Sequence, residues 1–585
     1  MPTLQKAAAS MDDTVEGAMS ATLLSLLGVT AKSEKSAAGT DDKVEWLRSQ
    51  LIGKDVEFDT PFGRRALTCA DQTASGRSLS YIEDYLVKQV LPFYGNTHTD
   101  DSHVGSKTTR LVHKAARYIK RCMGAGPGDA LIFCGAGTTA AIKRLQEIIG
   151  VALPSVEMRN RLSAQLRAEE RWVVFVGPYE HHSNLLSWRQ SLAEVVEVGV
   201  DAEGLVDVAA LRRALGSPEY AGRPMLGSFS ACSNVTGVMT DTREIARVLH
   251  QHGAFACFDF AASGPYVKID MKSGETDGYD SVFLSPHKFD TLYYDDIEER
   301  EDAGTPPILQ KIRASLAFWV KEYVGYDTMD LRERVFSEMA MKRLVHNPNV
   351  MVLGNTSAHR IPIFSFLIFP SVTMKEKPFD DFGEPSCDKQ LETMKHKQLP
   401  LHGRFVTRLL NDLFGIQARG GCACAGPYGH TLLNVDNELS LRIRSAVLEG
   451  YSGLKPGWTR LSFSYYLSKE EFKFILSAIE FIATYGHRFL SLYKFDWITG
   501  NWTFRKQAVK YHIMREELSL HIEPLKQIND QPKLAYMMDK PVVNDKKFQS
   551  YLDSANKIAL SMPDISNKIV SFPKGVDPDL VLFHI

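Results

Sequence analysis

Met225-Leu226-Gly227-Ser228-Phe229-Ser230 is a short apolar run, Asp241–His252 spaces its apolar residues as a helix does, and Phe255-Ala256-Cys257-Phe258-Asp259-Phe260 is a second apolar run. Two buried strands joined through an amphipathic helix make a βαβ unit, and such units imply a mostly parallel sheet. The same alternation extends in both directions. Upstream, Leu111, Ala115, Tyr118, Ile119 and Cys122 form a helical stripe. Ala130–Cys134 then reads as a strand, Ala140–Ile149 as a helix and Trp172–Val176 as a strand. Downstream, Ser281–Leu284 reads as one more strand. The predicted fold is α/β, with a large domain on a mostly parallel sheet.

The texture changes after about residue 330. Ile361–Phe369 is strand-like, Phe405–Phe414 helical, Trp458–Tyr466 strand-like and Lys469–Tyr485 helical, which predicts a smaller α+β domain. The domain expectation is an N-terminal segment over 1–60, partly disordered, and a large domain over 61–330. A small domain over 331–485 and an extension of no assignable role over 486–585 complete it.

Composition narrows the function classes. The chain has 585 residues, with 68 Lys+Arg against 70 Asp+Glu, so its net charge of −2 gives no global attraction to nucleic acid or an anionic membrane. No apolar run is long enough to span a bilayer. Eight cysteines in this length are too sparse for a disulfide scaffold. Asp12, Asp13 and Glu16 precede the only apolar stretch near the start, against a secretory or mitochondrial leader. The expectation is a cytoplasmic protein.

Four signals follow predicted strands, where open α/β sheets build their sites. Gly135-Ala136-Gly137-Thr138-Thr139 leaves a strand and opens a helix, an anion site from free amides and two hydroxyls, or an ordinary helix cap. Glu180-His181-His182-Ser183-Asn184 follows the strand at 172–176. Adjacent histidines rarely converge on one ion, and no carboxylate or thiol stands at helpful spacing, so no metal is expected. Asp259 ends an apolar strand as a turn residue or as a held carboxylate. Ser285-Pro286-His287-Lys288 places a lysine after a strand, where it is either a surface residue or a Schiff-base former.

Together and in this order, the phosphate-type loop, the His-His pair, Asn234, Asp259 and Ser-x-His-Lys resemble the class V aminotransferase family of fold type I pyridoxal-phosphate enzymes. The nearest likeness within it is to cysteine desulfurases and selenocysteine lyases. Ser230–Gly237, His252-Gly253-Ala254, the loop Gly415–Cys424 and the strand Thr459-Arg460-Leu461-Ser462-Phe463 fit the same pattern, over about 65–485.

The resemblance implies roles residue by residue. Lys288 would hold pyridoxal 5'-phosphate covalently and later move the substrate's Cα proton. Asp259 would pair with the ring nitrogen, His181 would stack on the ring and help proton transfer, and Asn234 would bond the phenolic oxygen. Gly137, Thr138, Thr139, Ser285 and His287 would bind the phosphate, and Arg460 the substrate carboxylate. In a desulfurase Cys424 would attack the substrate sulfur and carry a persulfide; in another branch it is a structural thiol. The implied partners are an amino-acid substrate, a second copy in a homodimer and a protein that accepts sulfur.

Two departures stand out. Ala262 replaces a glutamine the family commonly has three residues after the Asp. More drastically, relatives run from the lysine through a glycine-rich turn into an apolar strand and a segment that reaches the partner subunit's cofactor phosphate. Here Asp302-Ala303-Gly304-Thr305-Pro306 follows with only fifteen residues between Lys288 and Gly304. A sheet strand is therefore expected to be missing after Lys288. Three readings stay open: a cysteine desulfurase, an epimerase or β-elimination lyase with the same cofactor, and a non-catalytic relic acting as a binding subunit.

Overall fold

The computed structural model describes residues 40–97, 99, 101–135, 137–288, 307–370, 399–505, 544–562 and 572–585. The chain divides into two units, Met1–Trp46 and Leu47–Ile585. In the first, the described residues belong to a helix that begins at Thr40. The apolar stretch that Asp12, Asp13 and Glu16 precede lies outside the described residues.

The second unit is built on two sheets. In chain order its larger layer uses α1 (His103–Cys122), α2 (Gly137–Ile148), β1 (Val173–Val176), α3 (His182–Arg189), β2 (Glu194–Glu197), β3 (Met225–Ser230), α4 (Thr242–Gln251), β4 (Phe255–Asp259) and β5 (Ser281–Phe283). The five strands pair in parallel in the order β2-β1-β3-β4-β5. Every residue of β1 and β3 is buried, as expected of strands covered on both faces. Asp241 caps α4, its side chain accepting from the Glu244 amide, and Ile245, Ala246, Val248 and Leu249 are buried. Gly227 makes that close packing possible: a Cβ there would meet Leu249 Cδ1 at 2.5 Å.

One predicted strand does not form. Ala130–Cys134 is apolar, yet it joins no ladder and makes no backbone hydrogen bond among the described residues. Apolar content buries a segment, but only a neighbouring backbone makes it a strand. Among the described residues β5 ends the sheet, so no strand lies between β5 and Ala130–Cys134.

Helices α5 (Ile308–Val324) and α6 (Tyr326–Val345) lead to the second layer, with β6 (Val350–Val352), β7 (Ile363–Ile368), α7 (Gly403–Phe414), β8 (Arg419–Gly421), β9 (Trp458–Ser462) and α8 (Lys469–Tyr485). Its antiparallel sheet runs β8-β9-β7-β6. A Cβ on Gly403 would lie 2.5 Å from the Trp458 backbone, so the glycine lets α7 sit directly on β9. Ser468 and Glu471 form a reciprocal cap at the start of α8.

The C-terminal extension belongs to this layer. Helix α9 (Asn544–Ser561) buries Phe548, Tyr551, Ala555 and Ala559, and Phe548 stacks on Phe474 of α8 with centroids 4.2 Å apart. Trp502 donates its indole N–H to His402 Nδ1 at 2.9 Å. No described helix is long and apolar enough to cross a membrane.

Candidate active site

The C-terminal ends of β1, β3, β4 and β5 deliver one group of side chains, as the geometry of open parallel sheets requires. The turn after β1 is fastened by Glu180, a buried carboxylate. Its Oε1 accepts from the Ser230 amide at 2.8 Å and the Gly177 amide at 3.2 Å. Its Oε2 accepts from Ser230 Oγ at 2.7 Å and from Asn184 Nδ2. These bonds tie β1, α3 and β3 together at the cavity floor. Burial pushes Glu180 up to about 7 despite those donors, and the nearby Asp259 adds in the same direction.

His181 is the N-cap of α3, its Nδ1 accepting from the Ser183 amide at 3.2 Å. Burial, then the charge of Lys288, pushes it down to about 4, so it is a neutral ring with its proton on Nε2. Ser183 Oγ in turn lies 2.6 Å from Thr139 Oγ1. At the start of α2, the Thr138 amide donates to Ser285 Oγ at 3.2 Å, and the two hydroxyls are 3.0 Å apart. Gly137 has φ +57°, and a Cβ there would stand 2.9 Å from Ser285 Oγ. Only glycine accommodates that helix start against that serine.

Asp259 ends β4, fully enclosed, with Oδ1 accepting from the Ala261 amide at 2.8 Å. Burial raises its carboxyl above the ordinary range, opposed by the Ala261 bond and by Lys288. Lys288 is the counterpart: burial pushes its amine down to about 8 while Asp259 pulls it back up. Burial also lowers His287.

The second layer closes the site. Arg460 on β9 pairs with Asp71 Oδ1 at 3.0 Å and donates to the Asn234 carbonyl at 3.1 Å, while its buried Nε has no partner among the described residues. Arg419 pairs with the other oxygen of Asp71 at 3.3 Å. Cys424 is exposed on the loop after β8 and is near enough to act on the charge of Arg460. Asn234 donates from Nδ2 to the Ala423 carbonyl at 2.9 Å, and its buried Oδ1 is unpartnered among the described residues.

Thr138, Thr139, His181, Asn234, Asp259, Ser285, His287, Lys288, Cys424 and Arg460 thus line one cavity of about 220 Å³, with Gly137 just behind its wall. Sequence reasoning missed Glu180, Ser183, Asp71 and Arg419 as contributors. Glu180 and Ser183 flank the histidines, and Arg419 lies in the quoted cysteine loop, so proximity to known motifs was their available signal. Asp71 had none; the pairing of Thr68–Cys69 with Ile416–Gln417 brings it in. Among the described residues no cluster of His, Cys, Asp or Glu is arranged to hold a metal ion.

Residues 70–292 match the family model "Aminotransferase class-V". A probable cysteine desulfurase of Streptomyces coelicolor is 21% identical over 326 residues, 50% of this chain and 74% of that protein. Another from Staphylococcus aureus is 23% identical over 348 residues, 53% of this chain and 78% of that protein. The apo structure of a cysteine desulfurase from Thermococcus onnurineus NA1 superposes with a TM-score of 0.53 at 18% identity, covering 75% of this chain and 98% of that one. A cysteine desulfurase structure from Escherichia coli gives 0.50 at 19% identity, covering 75% and 97%. These structural likenesses establish the fold. Through residues 70–292 the chain matches the class-V aminotransferase family model, and it resembles the cysteine desulfurases.

Proposed function

We propose that this chain binds pyridoxal 5'-phosphate and transfers sulfur from cysteine to Cys424, releasing alanine. The observation that carries the reading is the exposed Cys424 thiol opening on the same cavity as Lys288, Asp259 and Arg460.

The residues fit that cofactor. Asp259 is a buried carboxylate with one amide donor, suited to a protonated ring nitrogen. The α2 start with Thr138 and Ser285 offers hydroxyls and a helix terminus to a phosphate. The unpartnered Asn234 Oδ1 and Arg460 Nε are buried polar atoms that a bound molecule would satisfy. When bound, the cofactor supplies an electron sink for charge developing at the substrate α-carbon.

The chain's own groups do the rest. Lys288, lowered to about 8, exchanges a proton near neutrality and stands as the base for the Cα proton. His181, neutral, offers a flat face and an Nε2–H. Arg460 is held by Asp71 and the Asn234 carbonyl, leaving Nε for the substrate carboxylate. The Cys424 thiolate attacks the substrate sulfur. The S–S bond forms as the Cβ–S bond breaks, and the carbon fragment takes up a proton to become the alanine methyl, so cysteine and a thiol become alanine and a persulfide. Exposed Val87, Leu91, Phe93 and Tyr94, close in sequence, support the accompanying homodimer.

The test is peptide mass spectrometry after incubation with cysteine and the cofactor. The Cys424 peptide should gain the mass of one sulfur, lost on reduction, and Lys288→Ala should show neither the gain nor a borohydride-reducible absorbance. Alanine or pyruvate formed with Cys424 unmodified would instead support the lyase reading, and a chain with no reducible chromophore the non-catalytic one.

A further inference from the structure

The second histidine of the His-His pair has no part in the chemistry above, yet it makes two contacts with the cysteine loop. The His182 amide donates to the Cys424 carbonyl at 2.9 Å, and its Nε2 accepts from the Gly426 amide at 3.0 Å. The residues between those contacts are strained: Ala423 has φ +50° and Cys424 φ +55°, left-handed backbone that side chains with a Cβ rarely adopt. Such geometry persists only where its surroundings hold it. A turn from the Ala425 amide to the Cys422 carbonyl at 3.1 Å spans the pair, and Asn234 Nδ2 holds the Ala423 carbonyl at 2.9 Å. The remaining holds on this turn come from His182. Its half-buried ring is also lowered by burial, which keeps Nε2 free to accept.

We infer that His182 is the positioning residue of Cys424: its imidazole Nε2 and backbone amide hold the left-handed turn that presents the thiol to the cavity. His182 touches neither cofactor nor substrate in this role. The inference rests on the sulfur-transfer reading of Cys424, but the loop geometry can be tested without it. Gln places an acceptor oxygen at the same reach as Nε2, so His182→Gln should keep the clamp. His182→Leu keeps the bulk and the backbone bond but loses the acceptor.

The experiment uses the full chain with the cofactor. The rate of Cys424 alkylation by iodoacetamide is read by peptide mass spectrometry, with the half-buried Cys69 and Cys134 as internal references for global opening. His182→Leu should change the Cys424 rate by about tenfold while leaving the two references unchanged, as local rather than global opening requires. It should also lower kcat for cysteine by about tenfold with KM little altered, because binding is intact and only the thiol is misplaced. His182→Gln should restore both. Faster deuterium uptake confined to residues 420–428 in His182→Leu supports the same conclusion. Wild-type alkylation rates in His182→Leu, or a His182→Gln variant indistinguishable from His182→Leu, overturn the inference. A wild-type chain that never forms a Cys424 persulfide overturns sulfur transfer alone, since the alkylation arm does not depend on it.

Discussion

At the scale of single residues, the site separates its titrating groups by environment rather than by identity. Glu180 and Asp259 are both enclosed carboxyls within electrostatic reach of each other, but Glu180 spends its oxygens on four donors while Asp259 keeps one oxygen free of amide bonds. This makes Glu180 a structural clasp, whereas Asp259 faces the cavity beside Lys288. The clasp has a pH signature. Glu180 rises from 4.5 to about 7 on folding, so the folded state binds its proton more tightly. Its contribution to stability is therefore present below about 4.5 and is lost as pH rises through about 7. That shift corresponds to about 3 kcal/mol at most. Glu180→Gln is neutral throughout, so it should be less stable than, or equal to, wild type at pH 5 and gain relative to it by pH 8. Denaturant titration at both values checks this. A stability difference between the two proteins that does not vary with pH would mean that Glu180 is ionised in the folded chain.

At the scale of elements, the informative case is Ala130–Cys134. Its composition reads as a strand, and its flank at Gly137 packs on Ser285 just beyond β5, but nothing among the described residues pairs with it. Both it and β5 line a cavity of about 250 Å³. Unpaired edges facing a cavity lack both hydrogen bonds and packing. A relative's strand and glycine segment inserted between Lys288 and Asp290 should therefore raise the melting temperature by about 2 °C or more. It should also slow loss of the cofactor on dialysis, because the segment would add a phosphate contact. If the insertion changes neither, the edges are satisfied in another way and the missing strand carries no cost. By contrast α4 and α8 were readable almost to the residue. Asp241 and the Ser468–Glu471 pair are local capping signals that do not depend on a distant partner.

At the scale of the whole molecule, the extension after residue 485 is part of the second layer's core. Phe548 is sandwiched in that core at 5% exposure and lies almost flat on Phe474, with 9° between the rings. Phe548→Ala should cost about 3–5 kcal/mol, the usual penalty for emptying a buried aromatic site. The measurement is denaturant unfolding, with continued protection of the buried Cys257 on β4 from alkylation as a reporter that the first layer stays intact. A loss below about 1 kcal/mol would mean α9 is an ornament on the surface rather than part of the core.

What the chain's residues determined by themselves was whatever depends on short-range pattern. Apolar runs of strand length alternating with capped amphipathic helices are enough to specify a parallel α/β layer. The His-His, Asp and Ser-x-His-Lys groups fall at strand ends because the site follows the sheet. Tertiary structure alone decided three things. It decided that Ala130–Cys134 has no strand partner among the described residues, since a ladder belongs to two segments and not to one. It brought Asp71 to Arg460, 389 residues away in sequence, through strand pairing that no local signal announces. It also set the placement of the two histidines, because adjacent residues at a helix start point apart: His181 caps α3 and faces the cavity, while His182 reaches the cysteine loop.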